Sequence, residues 1–193
     1  ALPISEKQCL ALAKLLGIKP KVKRISVRFP WTHLPPSFWF NPLEALDEES
    51  KEKFKEPWPD LVIAASRITA APIAALKKKL GKKITTIFIQ NPHMDLKCFD
   101  LVIAPEHDDL VGKNLIATQG ALHDVTEDVL RKEQAKWQRI LPAEFPRPWV
   151  SVLLGGNSRH HRMDLDTMEY FGAELRHLSQ RNPMSFFITA SRR

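Results

Sequence analysis

DLVIAASRITAAPIAALKKKLGKKITTIFIQ, residues 60–90, decides the fold. Its first seven residues, DLVIAAS (60–66), are an apolar run too short for a helix and without strict alternation, so they read as a strand buried on both faces. ITAAPIAALKKKL (68–80) has the composition of a helix, with Pro72 expected in the first turn, where its missing N–H costs nothing. Gly81 is a natural stop, and ITTIFIQ (84–90) is the next buried strand. Strand, helix and strand in this order imply a parallel pair joined by a crossover helix.

The same grammar extends outward. FDLVIAP (99–105) and NLIAT (114–118) are further strands, and a longer helix is expected over Thr126–Ile140. Toward the N-terminus, the apolar residues of Ile4–Leu16 fall at helical spacing, Ser5 and Gln8 resemble a capping box, and Gly17 closes the helix. Val22–Val27 alternates apolar and basic residues and is expected to be a strand. FPWTHLPPSFWFNPL (29–43) is too rich in proline for regular structure, and its aromatic residues are expected to pack over a core edge. Asp47–Phe54 reads as a short polar helix. LPAEFPRPW (141–149) has the composition of a linker, after which strand, helix and strand restart with WVSVLLGGNS, MDLDTMEYFGAELRHLSQR and SFFITASRR. The fold class is therefore α/β, doubly wound, with mostly parallel sheets in two Rossmann-like domains. The expected division is 1–141, a linker at 142–148, and the start of a second, incomplete domain at 149–193.

Composition bounds the function classes. With 193 residues, 44% of them hydrophobic, the chain has ordinary globular material. Its net charge of +7 suits an anionic or phosphate-bearing partner. The densest basic run, Lys77–Lys79 with Lys82 and Lys83, sits where a helix ends and is accounted for by the helix dipole. Nucleic acid is not an expected partner, because no RNA-type aromatic signature or zinc-finger spacing accompanies the charge. Cys9 and Cys98 form no CxxC, which leaves reduced thiols in a cytoplasmic setting as the default. No apolar run approaches the roughly 18 residues of a membrane span, so membrane contact, if any, is expected to be peripheral. The chain lacks an initiator Met and a signal peptide, and reads as processed or cut from something longer.

In an open parallel sheet, ligands bind beyond the carboxyl ends of the strands. Here each apolar strand ends in a polar tip: Ser66-Arg67, Gln90-Asn91-Pro92-His93, Glu106-His107-Asp108, Gln119-Gly120 through His123, and Gly155-Gly156-Asn157-Ser158. Glu106, His107 and Asp108 are sequence neighbours and cannot converge on one metal without a sharp turn, so a loop or helix-cap role is expected and no metal site. The unperturbed imidazole is the side chain suited to general base work near neutral pH, so His107, with Asp108, is the candidate for catalysis. Asn91-Pro92 before His93 reads as a turn. VSVLLGGNSRHHR (150–162) is the strongest local signal: paired glycines after a strand let backbone N–H groups approach a phosphate, and Ser158, Arg159 and Arg162 add donors and charge. GG also makes ordinary turns. GxGxxG, GxxxxGK[ST] and GxSxG are absent, which disfavours NAD-type binding, P-loop NTPases and serine hydrolases. No cofactor is expected.

DLVIAASR, FIQNPHMDLKCFDLVIAPEHDDLVGKNLIATQGALHDV, VSVLLGGNSRHHR and FFITASRR together resemble the elongated-mitochondria (mitochondrial fission) family, whose bacterial members are often labelled nucleoside-diphosphate-sugar epimerase-like. The short loop between Asp108 and Gly112 is similar to the bacterial form. The resemblance implies two Rossmann-like domains facing each other across a cleft, as in GT-B glycosyltransferases. It places Gln8, Arg67, Gln90, Pro92, His107, Asp108, Gly120, Gly155, Gly156 and Ser158 at that cleft, with Asn157 and Arg159 of the glycine tip beside them and Arg192 and Arg193 in the family's Ser-Arg-Arg motif. Relative to the family pattern the chain looks truncated at both ends: a first strand and Gly-rich loop are missing, as is most of the second domain. Gly is common in the family where Ser66 stands. The implied ligand is a nucleotide sugar or another phosphate-bearing small molecule, with glycosyltransferase-like activity of a full-length parent. The alternatives are a non-enzymatic adaptor recruiting a dynamin-related GTPase in mitochondrial fission, and a truncated product without function of its own. Whether the protein is an enzyme, and its oligomeric state, are left undecided at this level.

Overall fold

The computed structural model describes residues 4–155 and 162–190. The chain divides into two compact units, residues 1–125 and 126–193.

The first unit is built on a parallel sheet of β1 (Leu61–Ala65), β2 (Thr85–Ile89), β3 (Leu101–Pro105) and β4 (Leu115–Thr118), in the order β1-β2-β3-β4. Helix α1 (Ile4–Leu15) precedes the sheet, as does the short α2 (Glu48–Lys53), and α3 (Arg67–Leu80) is the crossover from β1 to β2. The continuous apolar strands have the expected consequence: alternate residues go to opposite faces and both faces are covered. Ala64, Phe88, Val102 and Ala104 pack with Ala70 and Ile73 of α3 and with Leu96 and Phe99. Ala65, Ile89 and Ile103 pack instead with Leu12 of α1, with Cys9 against the same cluster.

Three local expectations are revised. Helix α3 begins at Arg67, so Pro72 lies in its second turn and is fully buried. Lacking an N–H, it leaves the Ile68 carbonyl without its helical partner, while burial of the ring against the core offsets that loss. Val22–Val27 does not form a strand; its one ladder contact is an isolated antiparallel bridge between Val27 and Leu46. Of the aromatic residues in 29–43, Trp39 is buried, with Trp31 packed against its cluster, whereas Phe29, Phe38 and Phe40 are exposed.

The amino edge of this sheet is locked by polar contacts. Asp100, just before β3, accepts from the Thr86 N–H at 2.8 Å and from its hydroxyl at 3.0 Å, and pairs with Lys77 at 2.7 Å. Partial burial raises the Asp100 pKa, but the Lys77 ammonium and the Thr86 donors outweigh it and hold the carboxyl below its ordinary value. Lys77 also donates to the Ile84 carbonyl at 2.8 Å, so one lysine of the basic run has a structural role. The Asn114 carboxamide donates to the carbonyls of Leu96 and Phe99 at 2.8 and 2.9 Å, fixing the connection between β2 and β3.

The second unit contains α4 (Glu127–Ile140), β5 (Trp149–Leu154), α5 (Leu165–Arg181) and β6 (Ser185–Ala190). Strands β5 and β6 are parallel, with Trp149 opposite Ser185, and α5 is their crossover. Thr126 and Asp164 cap α4 and α5 by accepting from Val129 and Thr167 N–H groups. None of the described residues in this unit is buried; Trp137 and Ile140 on α4 and Leu153 on β5 are exposed. Among the described residues of the chain, no helix is long and apolar enough to cross a membrane.

Candidate functional site

Because all four strands of the first unit run in the same direction, their carboxyl tips share one edge, and Ser66, Gln90, Glu106 and Gln119 are brought to it. The backbone there is unusual. Among the described residues, the non-glycine positions with positive φ are Ser66 (88°), Gln90 (76°), His93 (54°) and Asp109 (49°), and all of them belong to the tips of β1, β2 and β3. Side chains bearing a Cβ adopt this region at a cost of about 1–3 kcal/mol each, and such residues concentrate at ligand-contacting sites.

Ser66 is the N-cap of α3, yet its side chain makes no capping bond; with ψ of 139° it occupies a conformation natural to glycine. Its carbonyl accepts from the Thr69 hydroxyl at 2.8 Å and the Thr69 N–H at 3.0 Å. Arg67 does not face open solvent with a free fork. Its guanidinium donates to the Leu34 carbonyl at 3.0 Å and to the Thr32 carbonyl, tethering the Pro-rich segment to the start of α3. Trp39 reinforces the tether by donating its Nε1–H to the same Leu34 carbonyl at 3.1 Å.

At the β2 tip, the Gln90 N–H donates to Ile103 at 2.8 Å, holding the residue in register with β3. Its side-chain Nε2 donates at 2.8 Å to Oε1 of Gln8, which is 3% exposed on α1. Asn91 Oδ1 accepts from the His93 N–H at 2.8 Å, a side-chain-closed turn of the kind that the Asn-Pro pair announces. Pro92 is fully buried under this turn and offers no surface to a ligand.

The acidic crowd after β3 resolves into a single 3-10 turn, Glu106–Asp108, closed by Asp109 in the left-handed region. His107 is 75% exposed, and its Nε2 lies 3.9 Å from Asp108 Oδ1, too far for a hydrogen bond. A cavity of about 380 Å³ opens beside this turn, lined by Glu106, Asp109, Leu110 and Val111 among others. Among the described residues, no three His, Cys, Asp or Glu side chains gather as metal ligands. At the β4 tip, Thr118 donates to the Gly120 carbonyl at 2.7 Å, and the space where a Gly120 Cβ would stand is open.

The glycine tip of the second unit is described only in part. Gly155 follows β5 directly, with open space at its Cβ position, whereas Gly156, Asn157, Ser158, Arg159, Arg192 and Arg193 lie outside the described residues. A second cavity of about 530 Å³ lies within this unit, lined by Trp137, Arg147, Trp149 and Phe187 among others, with the Arg147 guanidinium 4.2 Å above the Trp149 ring. It takes in none of the residues singled out from the sequence.

The Gln8–Gln90 bond and the tethering role of Arg67 were not legible in the sequence, since each joins residues far apart in the chain. Burial, assisted by Glu6, pushes the Cys9 thiol up to about 11, and burial with Asp95 also raises Cys98.

The family model for Mitochondrial fission ELM1 matches residues 5–193. Similar curated proteins include the mitochondrial fission protein ELM1 of Arabidopsis thaliana, 25% identical over 55% of this chain and 30% of its own length. They also include the uncharacterized protein RP120 of Rickettsia prowazekii, 25% identical over 96% of this chain and 60% of its own length. The chain thus matches 30% of the length of the first of these relatives and 60% of the second. No solved structure matches.

Proposed function

The chain belongs to the mitochondrial fission ELM1 family, and from that premise we propose that it binds a nucleotide sugar, with the carboxyl edge of the first sheet supplying part of the site. The observation that carries this reading is the gathering of Ser66, Gln90, His93 and Asp109, all at positive φ, on the edge where parallel α/β sheets take their ligands. Backbone strain repeated at three neighbouring strand tips is costly, and a ligand-contacting role accounts for its retention. The uncapped start of α3 directs N–H groups to the same edge and favours an anionic group there. Glycosyltransferase-like chemistry of the whole protein is part of this proposal. His107 and Asp108 are its candidate acid–base groups; the exposure of His107 leaves it accessible to a substrate.

Thermal melting with nucleotides and nucleotide sugars tests the reading. A ligand at a hundred times its Kd stabilises by about 2.7 kcal/mol, which raises Tm by several degrees. A flat response across the panel, with cooperative melting curves, removes the proposal. It would favour a second reading, an adaptor in mitochondrial fission that recruits a dynamin-related GTPase. The name of the Arabidopsis relative supports the fission setting of that alternative, and the exposed Phe29, Phe38 and Phe40 offer apolar surface to a protein partner.

A further inference from the structure

Gln8 and Gln90 are 82 residues apart, yet the carboxamides meet at the carboxyl edge of the sheet, with Gln90 Nε2 donating to Gln8 Oε1 at 2.8 Å. This bond sets which way the Gln90 amide faces. Its nitrogen is turned to Gln8, so its oxygen is left for another partner. Among the described residues, neither Gln90 Oε1 nor Gln8 Nε2 bonds to a protein group. No polar side-chain atom of the described residues is sealed from solvent without a partner, so the free Gln8 Nε2 is reachable from outside. The pair therefore presents one acceptor and one donor, held by a buried residue on one side and by a strand tip at φ 76° on the other.

An acceptor oxygen repels an ionised phosphate, which has no proton to give, and two neutral amides supply no charge to hold one. The cationic group of the same edge, Arg67, is turned toward the Thr32 and Leu34 carbonyls. A hydroxyl, by contrast, both donates and accepts. We infer that Gln8 and Gln90 read the sugar hydroxyls of the nucleotide sugar, and that Gln8 is a positioning residue that fixes the Gln90 carboxamide. This rests on the nucleotide-sugar reading above and adds which part of the ligand meets this edge.

The test is calorimetric titration of the chain with UDP-glucose and GDP-mannose and with the matching diphosphates, UDP and GDP. Wild type is compared with Gln8→Met, which keeps the volume and removes the hydrogen bond. The expected result is a loss of about 3- to 10-fold in affinity for the preferred nucleotide sugar, the size of one neutral hydrogen bond, with the diphosphate changed less than about two-fold. Gln90→Met, at a position that is only half-buried, should reproduce that selective loss, and the loss in the double variant should fall short of the sum of the two single losses, because each single change already breaks the shared bond. Equal weakening of sugar nucleotide and diphosphate would show a merely structural role and overturn the inference, as would unchanged affinity in both variants. In either case the nucleotide-sugar reading would stand. No binding of any of the four ligands by the wild-type chain would sink both.

Discussion

Ser66 shows how much a single residue can report. With φ of 88° and ψ of 139° it stands in glycine territory without a capping bond to compensate. Ser66→Gly should therefore stabilise the protein by about 1 kcal/mol, read as a raised Tm, the relief of strain exceeding the entropy of the freer unfolded chain. Asp100 makes the opposite kind of prediction. Its pKa is lowered on folding, so it binds a proton less readily in the native state, and its stabilising contribution is full above its unfolded value. Asp100→Asn should cost about 1 kcal/mol at neutral pH, a modest figure because the carboxyl is 38% exposed and screened. The gap between wild type and variant should narrow as the pH falls below about 4, since protonation of Asp100 removes the same ion pair. Denaturant titrations at pH 7 and pH 3 check both the size and the sign.

At the scale of elements, the two ends of the sheet have different tasks. The amino edge is consolidated by Asp100, Thr86 and Lys77, whereas the carboxyl edge carries the strained turns. The connection from β2 to β3 is held by one side chain, Asn114, bonded to two carbonyls. Asn114→Ala leaves both carbonyls without that partner and should cost about 2 kcal/mol, with a matching drop in the denaturation midpoint. The existence of α1, α3, α4, α5 and all six strands was legible in sequence, because helical periodicity marks the long helices and shortness with flanking turn residues marks the apolar runs as strands. Val22–Val27 misled because alternation alone does not make a strand: apart from the bridge to Leu46, that segment finds no partner to pair with. The start of α3 was misjudged through Pro72, since the proline rule is local and the burial that compensates the lost bond is not.

Over the whole molecule, the core is unevenly distributed. Residues 1–125 bury three apolar clusters, while no described residue of 126–193 is buried. Hydrogen exchange by mass spectrometry should therefore find the slowest amides in β2 and β3, and exchange near the rate of local opening in α4 and α5. Slow exchange in α5 comparable to that in β3 would contradict this account. The α/β class, the parallel strands and the family were determined by sequence alone. Apolar runs separated by a crossover helix admit few arrangements, and the tip motifs from Gln90 to His123 are distinctive. The tertiary structure decided how the side chains of those tips are held. It turned Glu106–Asp108 into a plain turn, spent Arg67 on backbone carbonyls, buried Pro92, and joined Gln8 to Gln90. The physical reason is that backbone pattern is encoded over a few neighbouring residues, whereas a side chain's hydrogen bonds and burial depend on groups that only folding brings within reach.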